Sequence, residues 1–187
     1  MNEFRKSYTV MSLLDDTAKM KKDLAYVYEV TSYSFDPVNA TAKTTSTATV
    51  TTTDKKNAPK APTGVQKGQL AVATDDQEKF MNTVILSPNL LEYLKKKYKA
   101  DYVVFVNELD LKNELGDDPY NTAGAQEVKR SASVHYAIVS TSTSKRVAAG
   151  KAKSFFSSKQ NKPQKIIDAQ FKAIAKSILE KFELGKK

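Results

Sequence analysis

The sequence predicts an α+β fold: an antiparallel or mixed sheet of about four strands with helices packed on it. Three observations predict it. Residues 90–112, LLEYLKKKYKADYVVFVNELDLK, read as an amphipathic helix running directly into a strand. Residues 128–156 alternate on both sides of the polar turn STSTSK, as a hairpin does. Residues 163–182 open on a proline and then place apolar residues at helical spacing.

Taken in order, Tyr8 to Leu14 is short, apolar and partly β-branched, which predicts a first strand. Thr17, Met20, Leu24, Val27 and Thr31 recur at helical spacing, although the end of that stretch, AYVYEVTSYSF, is rich in strand-formers. Pro37 ends either element. Composition then shifts over residues 38–68: eight of the thirteen residues from Thr41 to Thr53 are threonine, and Pro59, Pro62, Gly64 and Gly68 follow. That segment reads as a flexible or extended insertion in a single domain spanning residues 1–187.

Thr74-Asp75-Asp76-Gln77 has the form of a capping box, and Phe80, Met81 and Val84 supply an apolar face, so a helix is expected there. Ser87-Pro88 predicts a second helix start, with Leu90, Leu91, Leu94 and Tyr98 as its buried stripe. Residues 102–106 are apolar on both faces, as in a covered strand; beyond them Leu109 and Leu111 alternate with Glu108 and Asp110, so one face is expected to be wet. Residues 115–125 are a loop by their Gly, Asp, Pro and Asn content.

The next strand puts Val128, Ala132, Val134, Tyr136 and Ile138 on one face, and Lys129, Ser131, Ser133 and His135 on a polar one. In the returning strand Ala148, Gly150 and Ala152 leave a small face suited to a closely packed helix. Ile167, Phe171, Ile174 and Ile178 line the last helix. Strands 101–112, 128–139 and 146–156 are expected to form a meander, with helices 88–98 and 163–182 on one of its faces.

Chemistry is restricted. The 187 residues contain no cysteine, which removes disulfides, thiolate metal sites and cysteine nucleophiles. Neither glycine-rich phosphate loop is present among six glycines, and no GxSxG elbow accompanies the serines. His135 is the single histidine, and a strand pair can bring it to Glu108 or Asp110. Such a group can bind a metal or relay a proton, and is also ordinary on a solvated sheet. The expectation is a non-enzymatic chain with no cofactor.

The formal charge is +9, of which residues 150–187 contribute ten lysines against three acids. Lys151, Lys153, Lys165, Lys172 and Lys176 are candidate contacts to nucleic acid or anionic lipid. Arginine, the residue of bidentate phosphate recognition, occurs only at 5, 130 and 146, which favours a solvated lysine face over a nucleic-acid site. No window has the length of a membrane span. The segment MNEFRKSYTVMSLLDD lacks the pattern of a signal peptide, so the chain is expected to be cytosolic or to start after a removed leader.

Residues 90–182 carry a resemblance. NLLEYLKKKYKADYVVFVNELDLK, SVHYAIVSTSTSKRVAAGKAKSF and IIDAQFKAIAKSILEKF together resemble the α/β module shared by several bacterial envelope proteins. These include the curli secretion lipoprotein, the amino-terminal domain of the Tol-system propeller protein and the lipoprotein activators of penicillin-binding proteins. Tyr98, Ala100, Asp101, Tyr102, Asn107, Glu108, Leu109, Asp110 and Lys112 match a strand start found in further envelope proteins. The resemblance implies a non-catalytic module, periplasmic or outer-membrane-associated, that docks onto a protein partner. Glu108, Asp110, Asp117, Asp118 and Tyr120 are the candidate contacts for such a partner. The absent leader, the absent lipid-bearing cysteine and the threonine-rich insertion depart from that pattern.

Overall fold

The computed structural model describes residues 2–14, 17–38, 64–66, 69–71, 78–114 and 129–186. The elements are α1 (Asn2–Arg5), α2 (Thr17–Glu29), β1 (Thr31–Pro37), β2 (Gly64–Gln66), β3 (Gln69–Ala71) and β4 (Lys79–Ile85). After them come α3 (Asn89–Tyr98), β5 (Tyr102–Glu114), β6 (Lys129–Ser140) and β7 (Arg146–Ser157). The chain ends in α4 (Pro163–Ile166), a π-helical turn (Ile167–Phe171) and α5 (Lys172–Gly185). The fold is α+β, with β5–β6–β7 as an antiparallel meander, β1–β4 as a second antiparallel pair and β2–β3 as a short ribbon. No helix among the described residues is long and apolar enough to cross a membrane.

The meander forms where alternation places it. On one face of β6, Ala132, Val134, Tyr136 and Ile138 are buried against Ile174, Ile178 and Phe182 of α5. Ala148 and Ala152 of β7 let α5 approach that face closely. Gly150, opposite Tyr136, has φ 145°, while a Cβ there would meet nothing within 4 Å. The backbone conformation, rather than space, therefore requires glycine.

The other face carries a second core of Val27, Leu90 and Leu94, joined by Val103 and Phe105 of β5. The two helices expected on one face thus lie on opposite faces. The cause is visible in β5: Tyr102 turns to Phe182, with ring centroids 4.9 Å apart, while Val103 turns to the α3 side.

Three expected elements differ. Tyr8 to Leu14 is irregular rather than a strand, and two of its apolar residues serve as separate anchors. Tyr8 packs edge-on against Phe182, and Leu13 packs in the second core. The stretch from Thr17 divides: helix to Glu29, then β1, with the Thr31 hydroxyl donating to the Val27 carbonyl at 2.7 Å where the chain turns. Residues 79–85 form β4 and not a helix. Phe80 and Asn82 are buried at strand spacing, and β1 pairs with this segment across the insertion. The capping motif at 74–77 lies outside the described residues. So does most of the 38–68 segment, in which β2 begins the β2–β3 ribbon. α3 starts one residue later than expected, with Pro88 rather than Ser87 at the N-cap, and the Ser87 carbonyl, not its hydroxyl, accepts from Leu90 N–H at 3.3 Å.

Tyr136 is fully buried, and its hydroxyl has no partner among the described residues. An unpaired buried polar group costs about 1–3 kcal/mol. Tyr136→Phe is therefore expected to keep or raise the melting temperature, whereas Tyr136→Ala is expected to lose about 3–5 kcal/mol. Burial also pushes the phenol up to about 12. The unfolded chain releases this proton first, so the contribution is complete below pH 10 and fades as pH rises toward 12. Tyr136→Phe is expected to lose that alkaline slope in denaturant melts, and an unchanged slope would contradict the assignment.

Candidate functional site

A β-bulge at Asn107 decides what β5 shows on each side. Val106 pairs with Tyr136 and Glu108 pairs with His135, so Asn107 is the extra residue. Its side chain is held by β4: Nδ2 donates to the Met81 carbonyl at 3.0 Å, and the Thr83 hydroxyl donates to its Oδ1 at 2.7 Å. After the bulge, Glu108, Asp110, Lys112 and Glu114 continue the face of Val103 and Phe105. Leu109 and Leu111 continue the face of Val104 and Val106.

The first of these faces is a charged lattice. Across it run Glu108, His135 and Lys151 in register, then Asp110, Ser133 and Lys153. His135 Nδ1 lies 2.8 Å from Glu108 Oε2 and accepts from Met81 N–H at 3.0 Å, two contacts that demand opposite protonation of that nitrogen. Lys112 Nζ is 3.0 Å from Asp110 Oδ2, Lys151 Nζ 2.9 Å from Glu78, and Lys153 Nζ 2.6 Å from Glu114. Each ammonium holds its carboxyl partner below the usual range. Burial pushes the His135 imidazole down, against the pull of Glu108.

The face expected to be solvated is thus largely covered. Ser131, Ser133 and His135 are 1%, 1% and 4% exposed. At His135 the physical reason is β4, which crosses the sheet from Lys151 to Asn107 and delivers the Met81 amide to the imidazole.

Glu108 and Asp110 are brought together with His135, so their side chains serve this lattice and not the outer surface of β5. Asp117, Asp118 and Tyr120 lie outside the described residues. The five lysines do not share a surface. Lys151 and Lys153 stand on the His135 face and are engaged by acids, while Lys165, Lys172 and Lys176 are exposed on the helical segment covering the opposite face.

Sequence reasoning missed the other side of β5. Val104, Val106, Leu109 and Leu111 form one row and are 46%, 66%, 50% and 60% exposed. The sheet order makes β5 an edge strand, and α5 packs chiefly over β7, leaving this row beyond its reach. Comparison of the chain with protein-family models, with curated proteins and with solved structures returned no match.

An open depression between α2 and α3 is lined by Lys22, Asp23, Tyr26, Asn89, Tyr93 and Lys97. Its carboxylate is already committed: Asp23 accepts from Lys97 Nζ at 2.7 Å and from the hydroxyls of Tyr93 and Tyr98. We read this as a clamp between the two helices. Those three donors, Lys97 foremost, lower the Asp23 carboxyl to about 2. Its contribution is complete above the ordinary value of 3.8 and is lost as pH falls toward 2. Asp23→Asn is expected to flatten the acid limb of the stability curve in that window. A limb unchanged by the substitution would remove the clamp from the account.

Proposed function

We propose that the chain is a non-catalytic module that binds an extended segment of a partner protein along the outer edge of β5. The observation that carries this reading is the apolar row on a 13-residue edge strand. Long apolar edges are aggregation hazards that proteins normally blunt with charge, proline or a covering element. Here the row facing outward on the α5 side holds only valine and leucine.

Magnitudes favour strand addition over simple apolar contact. Covering four side chains that are already about half buried contributes roughly 4 kcal/mol in all. Association costs at least that much in lost freedom. Main-chain hydrogen bonds to the edge that no strand pairs among the described residues supply the remainder, as when a peptide adds a strand to a sheet. The partner segment is expected to alternate, apolar toward Val106 and Leu109, and basic or polar toward the acidic side of β5.

The cell envelope is the proposed setting, supported by the resemblance of residues 90–182. A polyanion-binding role for the lysines has less support, because two of the five are paired with acids on the far face.

A photo-reactive residue at Val106, in the full chain expressed in its native cell, tests the reading. The expected result is a cross-link to a different protein in the envelope fraction, lost on Leu109→Asp and retained on Lys176→Glu. Both changed positions are exposed, so the fold is expected to survive. Cross-links only between copies of this chain, or a wholly cytosolic pool, would contradict it.

A further inference from the structure

We propose that His135, Asp110 and Glu108 form a binding site for a divalent first-row transition ion of the zinc type. His135 Nε2 and the Asp110 carboxylate are the protein ligands, and Glu108 holds the imidazole.

The imidazole is the starting point. His135 is 4% exposed, and its Nε2 has no hydrogen-bond partner among the described residues. That nitrogen faces Asp110 Oδ2 at 4.0 Å. The separation is too long for a hydrogen bond. It is close to the spacing of two ligands of one ion: zinc binds nitrogen and carboxylate oxygen at about 2.0–2.2 Å, so two ligands at a tetrahedral angle lie about 3.3–3.6 Å apart. A small approach of the Asp110 side chain, which is 19% exposed, brings the pair to the spacing of adjacent ligands.

Glu108 supplies the second shell. Metal-bound histidines commonly donate the other ring N–H to a carboxylate, which fixes the tautomer. Glu108 Oε2, 2.8 Å from Nδ1, is placed to accept it. The Met81 N–H at 3.0 Å from the same nitrogen is the contact of the alternative tautomer. An ion on Nε2 selects the form in which Nδ1 donates to Glu108, so the Met81 amide must respond to the ion.

The charges facing the site allow entry. Lys151 and Lys153 are occupied by Glu78 and Glu114. Lys112 is the cation on Asp110, and its side chain is 61% exposed, free to swing into solvent. One imidazole with one carboxylate suits zinc, cobalt or manganese better than calcium or magnesium, which favour oxygen alone.

Zinc ion alone, titrated into the full chain, is the test. The chain has a single histidine, so its imidazole nitrogen signals are unambiguous in nitrogen-15 NMR. Saturable one-to-one binding is expected, with the Nε2 signal and the Met81 amide moving together. Asp110→Asn is expected to weaken binding at least about tenfold. Lys112→Gln, at an exposed position, is expected to tighten it by removing the competing cation. The proposal is overturned if zinc fails to saturate, if it binds without moving the imidazole signal, or if Lys112→Gln leaves affinity unchanged or weaker.

Discussion

Strand β6 is covered on both faces, and the rest of the molecule is arranged to make that tolerable. Every residue from Ser131 to Ser140 is buried. On the α5 side the solution is apolar: Val134, Tyr136 and Ile138 meet Ile174, Ile178 and Phe182. On the other side β6 presents serines and a histidine, and buried polar groups must find partners. The β1–β4 pair meets part of that demand, bringing the Met81 amide to His135, and its Met81 carbonyl accepts from Asn107 of the neighbouring β5. Arg146 of β7 adds a bond to Asp36 of β1 at 3.1 Å, which ties the second sheet to the first.

Much of the meander was legible because its information is local. Alternation across Val134, Tyr136 and Ile138, a polar turn and a small face on β7 specify a hairpin under a helix without any distant contact. The stripe of Leu90, Leu91 and Leu94 likewise specifies α3. What was not legible depends on pairing across long separations. β4 has Phe80, Met81 and Val84 at spacings that also fit a helix, and only its partner β1, beyond the insertion, makes the strand. The wet face of β5 was assigned to Glu108 and Asp110 by polarity. The bulge at Asn107, fixed by β4, turns those acids inward and leaves Leu109 and Leu111 outside.

That inversion gives β5 two unlike sides. Inward, acids sit beside a buried imidazole in a lattice of cations, where position and protonation matter. Outward, valine and leucine line an edge that no strand pairs among the described residues. The two proposals call on different chemistry, an ion on one side and a polypeptide on the other, and neither requires the other. Both require that β6 stay closed beneath them.

Native-state hydrogen exchange measures that closure directly. If β6 is the covered centre, amides from Ala132 to Val139 exchange only through global unfolding, and the β5 amides turned away from β6 exchange far sooner. Ser133 and His135 amides exchanging at the rate of an open hairpin would contradict the account, because β6 would then not be the covered centre described.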